Sequence, residues 1–183
     1  LAETRTTSLC GQGHLHAELM LIAQAPGGQE NRQGRMFIGP SGKVLDELLK
    51  TIRIQRKEIY MTNLIKCMLR KNRKPKSDEV AICSQYLERE IELIHPEIVA
   101  PLGYYATRYI LGKYGIPLPS KPEFRDVYGN VLEVDGKTII PLQHPAAVLH
   151  DFSIKSTLVK NYRKMQALYT RLSNKMIVRL ETK

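Results

Sequence analysis

Tryptophan is absent from this 183-residue sequence, and cysteine occurs only at Cys10, Cys67 and Cys83. Three cysteines do not make a disulfide framework. An odd count without a secretion leader points to a reducing, cytoplasmic compartment. No apolar run approaches the length needed to cross a bilayer, and no charged-then-apolar leader opens the chain. Phosphate-cradling nucleotide motifs are missing too. There is no G-x-G-x-x-G, and Gly42-Lys43-Val44 lacks the Ser or Thr that follows a P-loop lysine. Acids are scarce beside bases, with 18 Asp and Glu against 28 Lys and Arg, a net charge of +10. Such a balance favours an anionic partner, and nucleic acid is the commonest soluble choice.

What is present fits one domain over residues 1–183. Hydrophobic residues make up 43% and charged residues 25%, enough for a real core with a wet surface. Residues 1–18 read as an irregular or weakly extended arm, and 173–183 as a loose basic tail. Leu19 to Ala23 is short and apolar, as a buried strand is. Ala25-Pro26-Gly27-Gly28 ends it. A polar loop carrying Gln29, Glu30 and Asn31 leads to Phe37-Ile38-Gly39-Pro40. Ser41 is then expected to cap a helix bearing Val44, Leu45, Leu48 and Leu49 on one face.

Further along, Ile59 to Leu64 reads as a second strand, with Asn63 near its end. Lys66, Arg70, Lys71, Arg73, Lys74 and Lys76 then crowd together without an acid among them. Such a run repels itself unless an anion neutralises it, and we expect it to contact DNA phosphates. Ser77 is expected to cap a helix running to about His95. Ile98 to Leu102 is a third strand, followed by a helix over Tyr104 to Lys113. Val127 to Val134 and Thr138 to Leu142 flank Asp135-Gly136, a hairpin signal. A last helix is expected from about Lys155 to Leu172. This alternation predicts an α/β fold, a three-layer α/β/α sandwich with a central, mostly parallel four-stranded sheet. Parallel strands bring their carboxyl ends to one edge. Gln24, Asn63 and His144 can therefore meet there.

Three ordered segments carry a resemblance. They are Ala23-Gln24-Ala25-Pro26-Gly27 with Phe37-Ile38-Gly39, then Tyr60-Met61-Thr62-Asn63-Leu64-Ile65-Lys66-Cys67, and then Pro141-Leu142-Gln143-His144-Pro145-Ala146. Together they resemble the uracil-DNA glycosylase superfamily, most closely its iron-sulfur family 4. The resemblance implies hydrolysis of the N-glycosidic bond of uracil in base excision repair, by an enzyme that acts on uracil-containing DNA and is expected to be a monomer. It implies that Phe37 stacks on the extruded base, with Gln24 and Ala25 beside it. Asn63 reads the uracil edge, and His144 donates to uracil O2. Gln24, Glu30 and His144 form the catalytic set. Ala146, Val148 and Leu149 enter the duplex, and Ser41 and the basic loop hold its backbone.

The chemistry asks for these types. A stacked base must be extruded before it can be attacked, and apolar side chains help fill the gap. The departing uracil takes negative charge, so a fixed donor at O2 lowers the barrier. An amide offers the donor and acceptor that match uracil N3–H and O4.

Two departures stand out. Gln24 occupies a position where the family has Glu, which predicts slow excision. The alternative reading is a catalytically weak or inactive member that binds uracil-containing or single-stranded DNA. The family also holds a 4Fe-4S cluster on four cysteines. Cys67 and Cys83 match two, and the resemblance puts the other pair upstream of residue 1, before Leu1-Ala2-Glu3-Thr4-Arg5-Thr6. Cys10 matches a non-ligand position. The hydrolysis itself needs no cofactor.

Overall fold

The run Leu19–Ala23 is buried on both of its faces, which is what a central strand flanked by helices requires. A computed structural model describes residues 1, 3, 5–120 and 122–181. In it the strands are β1 (Gln12–Gly13), β2 (Leu19–Ala23), β3 (Tyr60–Asn63), β4 (Ile98–Pro101), β5 (Leu132–Val134) and β6 (Lys137–Ile139). The helices are α1 (Gly28–Gln33), α2 (Pro40–Thr51), α3 (Ser77–Ile94), α4 (Tyr104–Lys113), α5 (Ala147–His150) and α6 (Lys155–Glu181).

The sheet order is β1-β3-β2-β4-β6-β5. The central β3-β2-β4-β6 strands run parallel, as expected. Short antiparallel strands are added at each edge, so the sheet has six strands and not four. Of the additions, β5 is the first arm of the expected hairpin, whereas β1 was hard to foresee because it has only two residues, paired as Gln12 with Met61 and Gly13 with Tyr60.

The side-chain alternation of β2 sorts two cores. Leu19 and Leu21 pack on one face with Leu45, Leu48 and Leu49 of α2 and Leu158, Tyr162 and Met165 of α6. Met20 and Ile22 pack on the other with Leu87 and Ile91 of α3 and Ile110 of α4. The β5–β6 turn places Asp135 at φ 49° and Gly136 at φ 73°. Both values suit the tight hairpin that Asp-Gly announces.

Two caps differ from the sequence reading. The α2 N-cap is Gly39, with Pro40 opening the helix and Ser41 inside its first turn. The α3 N-cap is Lys76, whose backbone N–H donates to Glu79 at 2.8 Å, and Ser77 is already helical. The last helix also extends beyond Leu172, to Glu181.

Candidate active site

Parallel pairing fixes where the strand ends meet. Ala23 lies opposite Asn63, so Gln24 leaves β2 beside the end of β3. The contact continues past the strands, where Ile65 N–H donates to the Gln24 carbonyl at 2.9 Å. Leu102 and Leu142 form a parallel bridge beyond β4 and β6, two residues before His144. Gly103 follows at φ 80°, and a β-carbon there would lie 3.2 Å from His144 Cβ. Glycine thus allows both the turn and the close approach of the imidazole.

These ends open into one cavity of about 610 Å³, lined by Gln24, Ala25, Glu30, Phe37, Asn63 and His144. The aromatic ring, the amide and the imidazole share one wall system. The Phe37 and His144 rings lie 6.2 Å apart between centroids, inclined at 29°. Asn63 is buried, and its Nδ2 donates to Met36 Sδ at 3.2 Å. Ser41, Ala146 and Leu149 also line the cavity.

Phe37 has φ 51°, an unusual backbone for a non-glycine residue. Its loop is held from two sides. On the carbonyl side, Arg56 donates to Met36 O at 3.0 Å and Phe37 O at 2.6 Å, and its Nε pairs with Asp46 at 2.6 Å. On the amide side, Glu30 Oε1 accepts from Ile38 N–H at 3.0 Å and Gly39 N–H at 2.8 Å. Gln12 adds a third hold, accepting from Met36 N–H at 2.9 Å. A β-carbon at Gly42 would sit 1.8 Å from Phe37 O, so only glycine fits under the loop. Arg56 and Gln12 were not legible as site residues, because their partners lie far away in sequence. Glu30 is a buried positioning carboxylate here, engaged by two backbone amides.

His144 is half-buried, with Nδ1 accepting from Ala146 N–H at 3.1 Å. That bond makes Nδ1 the bare nitrogen and leaves the proton on Nε2. Burial pushes the imidazole down to about 4, against the opposing charge of Glu30. The ring is therefore neutral at neutral pH and still a donor.

A family model for the uracil DNA glycosylase superfamily matches residues 10–172. The chain belongs to that superfamily. It is similar to the type-4 uracil-DNA glycosylase of Sulfurisphaera tokodaii, 36% identical over 92% of this chain and 77% of the relative. The type-4 uracil-DNA glycosylase of Archaeoglobus fulgidus is 34% identical over 92% of this chain and 85% of its own length. A type-5 uracil-DNA glycosylase of Pyrobaculum aerophilum is 31% identical over 73% of this chain and 63% of the relative.

On this superfamily member the basic segment divides. Arg70, Lys71 and Lys74 are exposed, and the neighbouring Leu69 and Asn72 line the cavity. Lys66 is a correction to the phosphate reading. It is buried, with Nζ 2.6 Å from Glu90 Oε2 and 2.8 Å from Thr62 Oγ1. Glu90 also accepts from Gly11 N–H at 2.8 Å. Arg73 likewise turns away, gripping Glu79 of α3 through both Nη atoms.

The apolar segment after His144 is the short helix α5, not a loop. Val148 packs back on the core beside β2, whereas Leu149 is 51% exposed at the cavity mouth. Leu149, not Val148, is thus the exposed apolar side chain that α5 sets at the cavity. Tyr104 and His150 line the cavity without having been singled out in the sequence.

Cys67 and Cys83 are both buried, and Arg5 Nη1 donates to Cys67 Sγ at 3.0 Å. Among the described residues, no group of three or more His, Cys, Asp or Glu is gathered to hold a metal. No helix among them is long and apolar enough to cross a membrane.

Proposed function

We propose that this chain is a uracil-DNA glycosylase that hydrolyses the N-glycosidic bond of an extruded uracil, within the cell's repair of DNA. One observation carries the reading. The parallel strand ends bearing Asn63 and His144, and the loop bearing Phe37, deliver an amide, a neutral imidazole donor and an aromatic ring to a single cavity. A base leaves its stack to reach such a pocket. Phe37 covers its face, and the Asn63 amide meets N3–H and O4. Cytosine presents the reverse pattern and is refused. As the bond to the sugar breaks, charge grows on uracil O2, and His144 Nε2–H stabilises it. Gln24 orients the water that takes the base's place. Leu149 fills the gap in the duplex, and Arg70, Lys71 and Lys74 hold the backbone.

A specific observation keeps a slower enzyme in view. Gln24 is neutral, and the Glu30 carboxylate is engaged by loop amides. Charge to offset that growing on the sugar is left to Glu30 alone among the residues lining the cavity, and its Oε1 is committed to those amides. A labelled uracil oligonucleotide, treated with alkali after incubation, tests the reading. Strand breaks at uracil support it; salt-sensitive binding without breaks favours a DNA-binding relative that does not cleave.

In this reading Cys67 and Cys83 hold two corners of a 4Fe-4S cluster, with Arg5 donating to the sulfur of one. The two cysteines would supply two of the four thiolates that such a cluster needs. The cluster serves structure, and no step of the hydrolysis passes through it. An iron-free, colourless preparation of a longer chain rejects this part alone.

A further inference from the structure

Phe152 is an aromatic side chain that the fold leaves 71% exposed. It does not hang on a loose loop. Asp151 Oδ1 accepts from Ser153 N–H at 3.0 Å and from Ser153 Oγ at 2.6 Å, capping the 3-10 turn Phe152–Ile154. Ile154 of the same turn packs on the core. The turn is thereby fixed with Phe152 facing outward.

Beside it lies a groove of about 890 Å³ along α6, lined by Phe152, Lys155, Val159, Lys160, Arg163 and Lys164 among others. No carboxylate lines it. Lys160, Arg163 and Lys164 are exposed and stand at helical i, i+3 and i+4 spacing, on one face. Lys155 Nζ sits 5.2 Å over the Phe152 ring and makes a long 3.7 Å pair with exposed Glu47. Lys164 Nζ donates to Gly129 O at 3.0 Å, which orients the cation.

The groove begins close to the cavity along the chain. Leu149 and His150 line the cavity mouth, and Phe152 follows three residues after Leu149. That is at most about 11 Å of chain. From Lys155 to Lys164 the helix rises roughly 13 Å, the span of about four nucleotides at ~3.4 Å each.

We propose that the Phe152–α6 groove is a second DNA-contacting surface, which takes the strand running on from the extruded nucleotide. The inference rests on the glycosylase reading for where that nucleotide sits. Phe152 stacks on a base one side of the lesion, and Lys160 and Arg163 meet the phosphates beyond it. A rigid aromatic beside a row of cations is the combination that holds single strands without reading sequence. An acidic protein would match the charge, but the short run of chain between cavity and groove favours the nucleic acid.

The probe is a labelled oligonucleotide with a tetrahydrofuran abasic site in place of the uracil nucleotide, read by anisotropy across a salt series. Excision by the parent protein, measured separately on uracil DNA, reports on the glycosylase reading alone. Lys160→Gln/Arg163→Gln should lower the slope of log K against log salt by about 1.4 to 1.8. Phe152→Ala, an exposed change that spares the core, should weaken binding about 5- to 100-fold. Both losses should vanish when the DNA is trimmed on one side of the abasic site and persist when it is trimmed on the other. An unchanged slope and an affinity within twofold of the parent, in variants that melt normally, would overturn the proposal. So would a loss that ignores which side is trimmed.

Discussion

Replacing Arg56 should disable the cavity although Arg56 does not line it. Its guanidinium reaches Met36 O, Phe37 O and Gly42 O, and its Nε pairs with Asp46. These bonds hold Phe37 at φ 51°. A charged donor to a neutral acceptor contributes about 1.5–3 kcal/mol when shielded. The Arg56 side chain is 31% exposed, so the set together is worth about 2–4 kcal/mol and not the sum of its parts. Arg56→Ala should lower the melting temperature by roughly 4–16 °C. Excision should fall further than stability suggests, because misplacing the stacking ring by about 1 Å costs on the order of a hundredfold. Arg56→Lys keeps the charge but loses the fork, so it should recover part of the stability and little of the rate. Thermal melts and single-turnover excision on one uracil oligonucleotide give both numbers. Variants that excise like the parent would show that Phe37 needs no such clamp.

Three further outcomes follow from the same structure. Lys66→Met leaves the largely covered Glu90, its side chain 13% exposed, without its cation, so it should destabilise by about 2–4 kcal/mol while the salt slope of DNA binding stays unchanged; a shallower slope would return Lys66 to the phosphate contacts. Gln24→Glu restores a carboxylate at the cavity and should raise or spare single-turnover excision; a fall would overturn the role given to this position. The lowered His144 value makes the unfolded chain bind the proton first as pH drops. Stability tied to this group is therefore present above about 6.5, is lost as pH falls toward about 4, and is flat below. Urea midpoints at pH 7 and pH 5 should differ less in His144→Gln than in the parent, and an equal difference would refute the shift.

Much of this fold could be read from periodicity. The apolar runs of β2, β3 and β4 and the Asp135-Gly136 turn are local signals, and each lies where local physics puts it. The convergence of Gln24, Asn63 and His144 followed from parallel topology alone. What stayed hidden was held by distant partners. Ser41 looked like a cap, yet the α2 terminus is closed by Gly39, with the Glu30 carboxylate nine residues away accepting from its amide. Lys66 sat in a run of cations, yet its side chain turns inward to Glu90, 24 residues on. Val148 and Leu149 are equally apolar neighbours, and only the helical turn of α5 separates the packed one from the exposed one.

The central claim is that Asn63, beside Phe37 and His144, recognises uracil in this cavity. Single-turnover excision by Asn63→Ala on a uracil oligonucleotide tests it most directly. A fall of roughly a hundredfold or more is expected, because a site built to pair a polar edge loses most when its partner is removed. Excision at the parent's rate would contradict it.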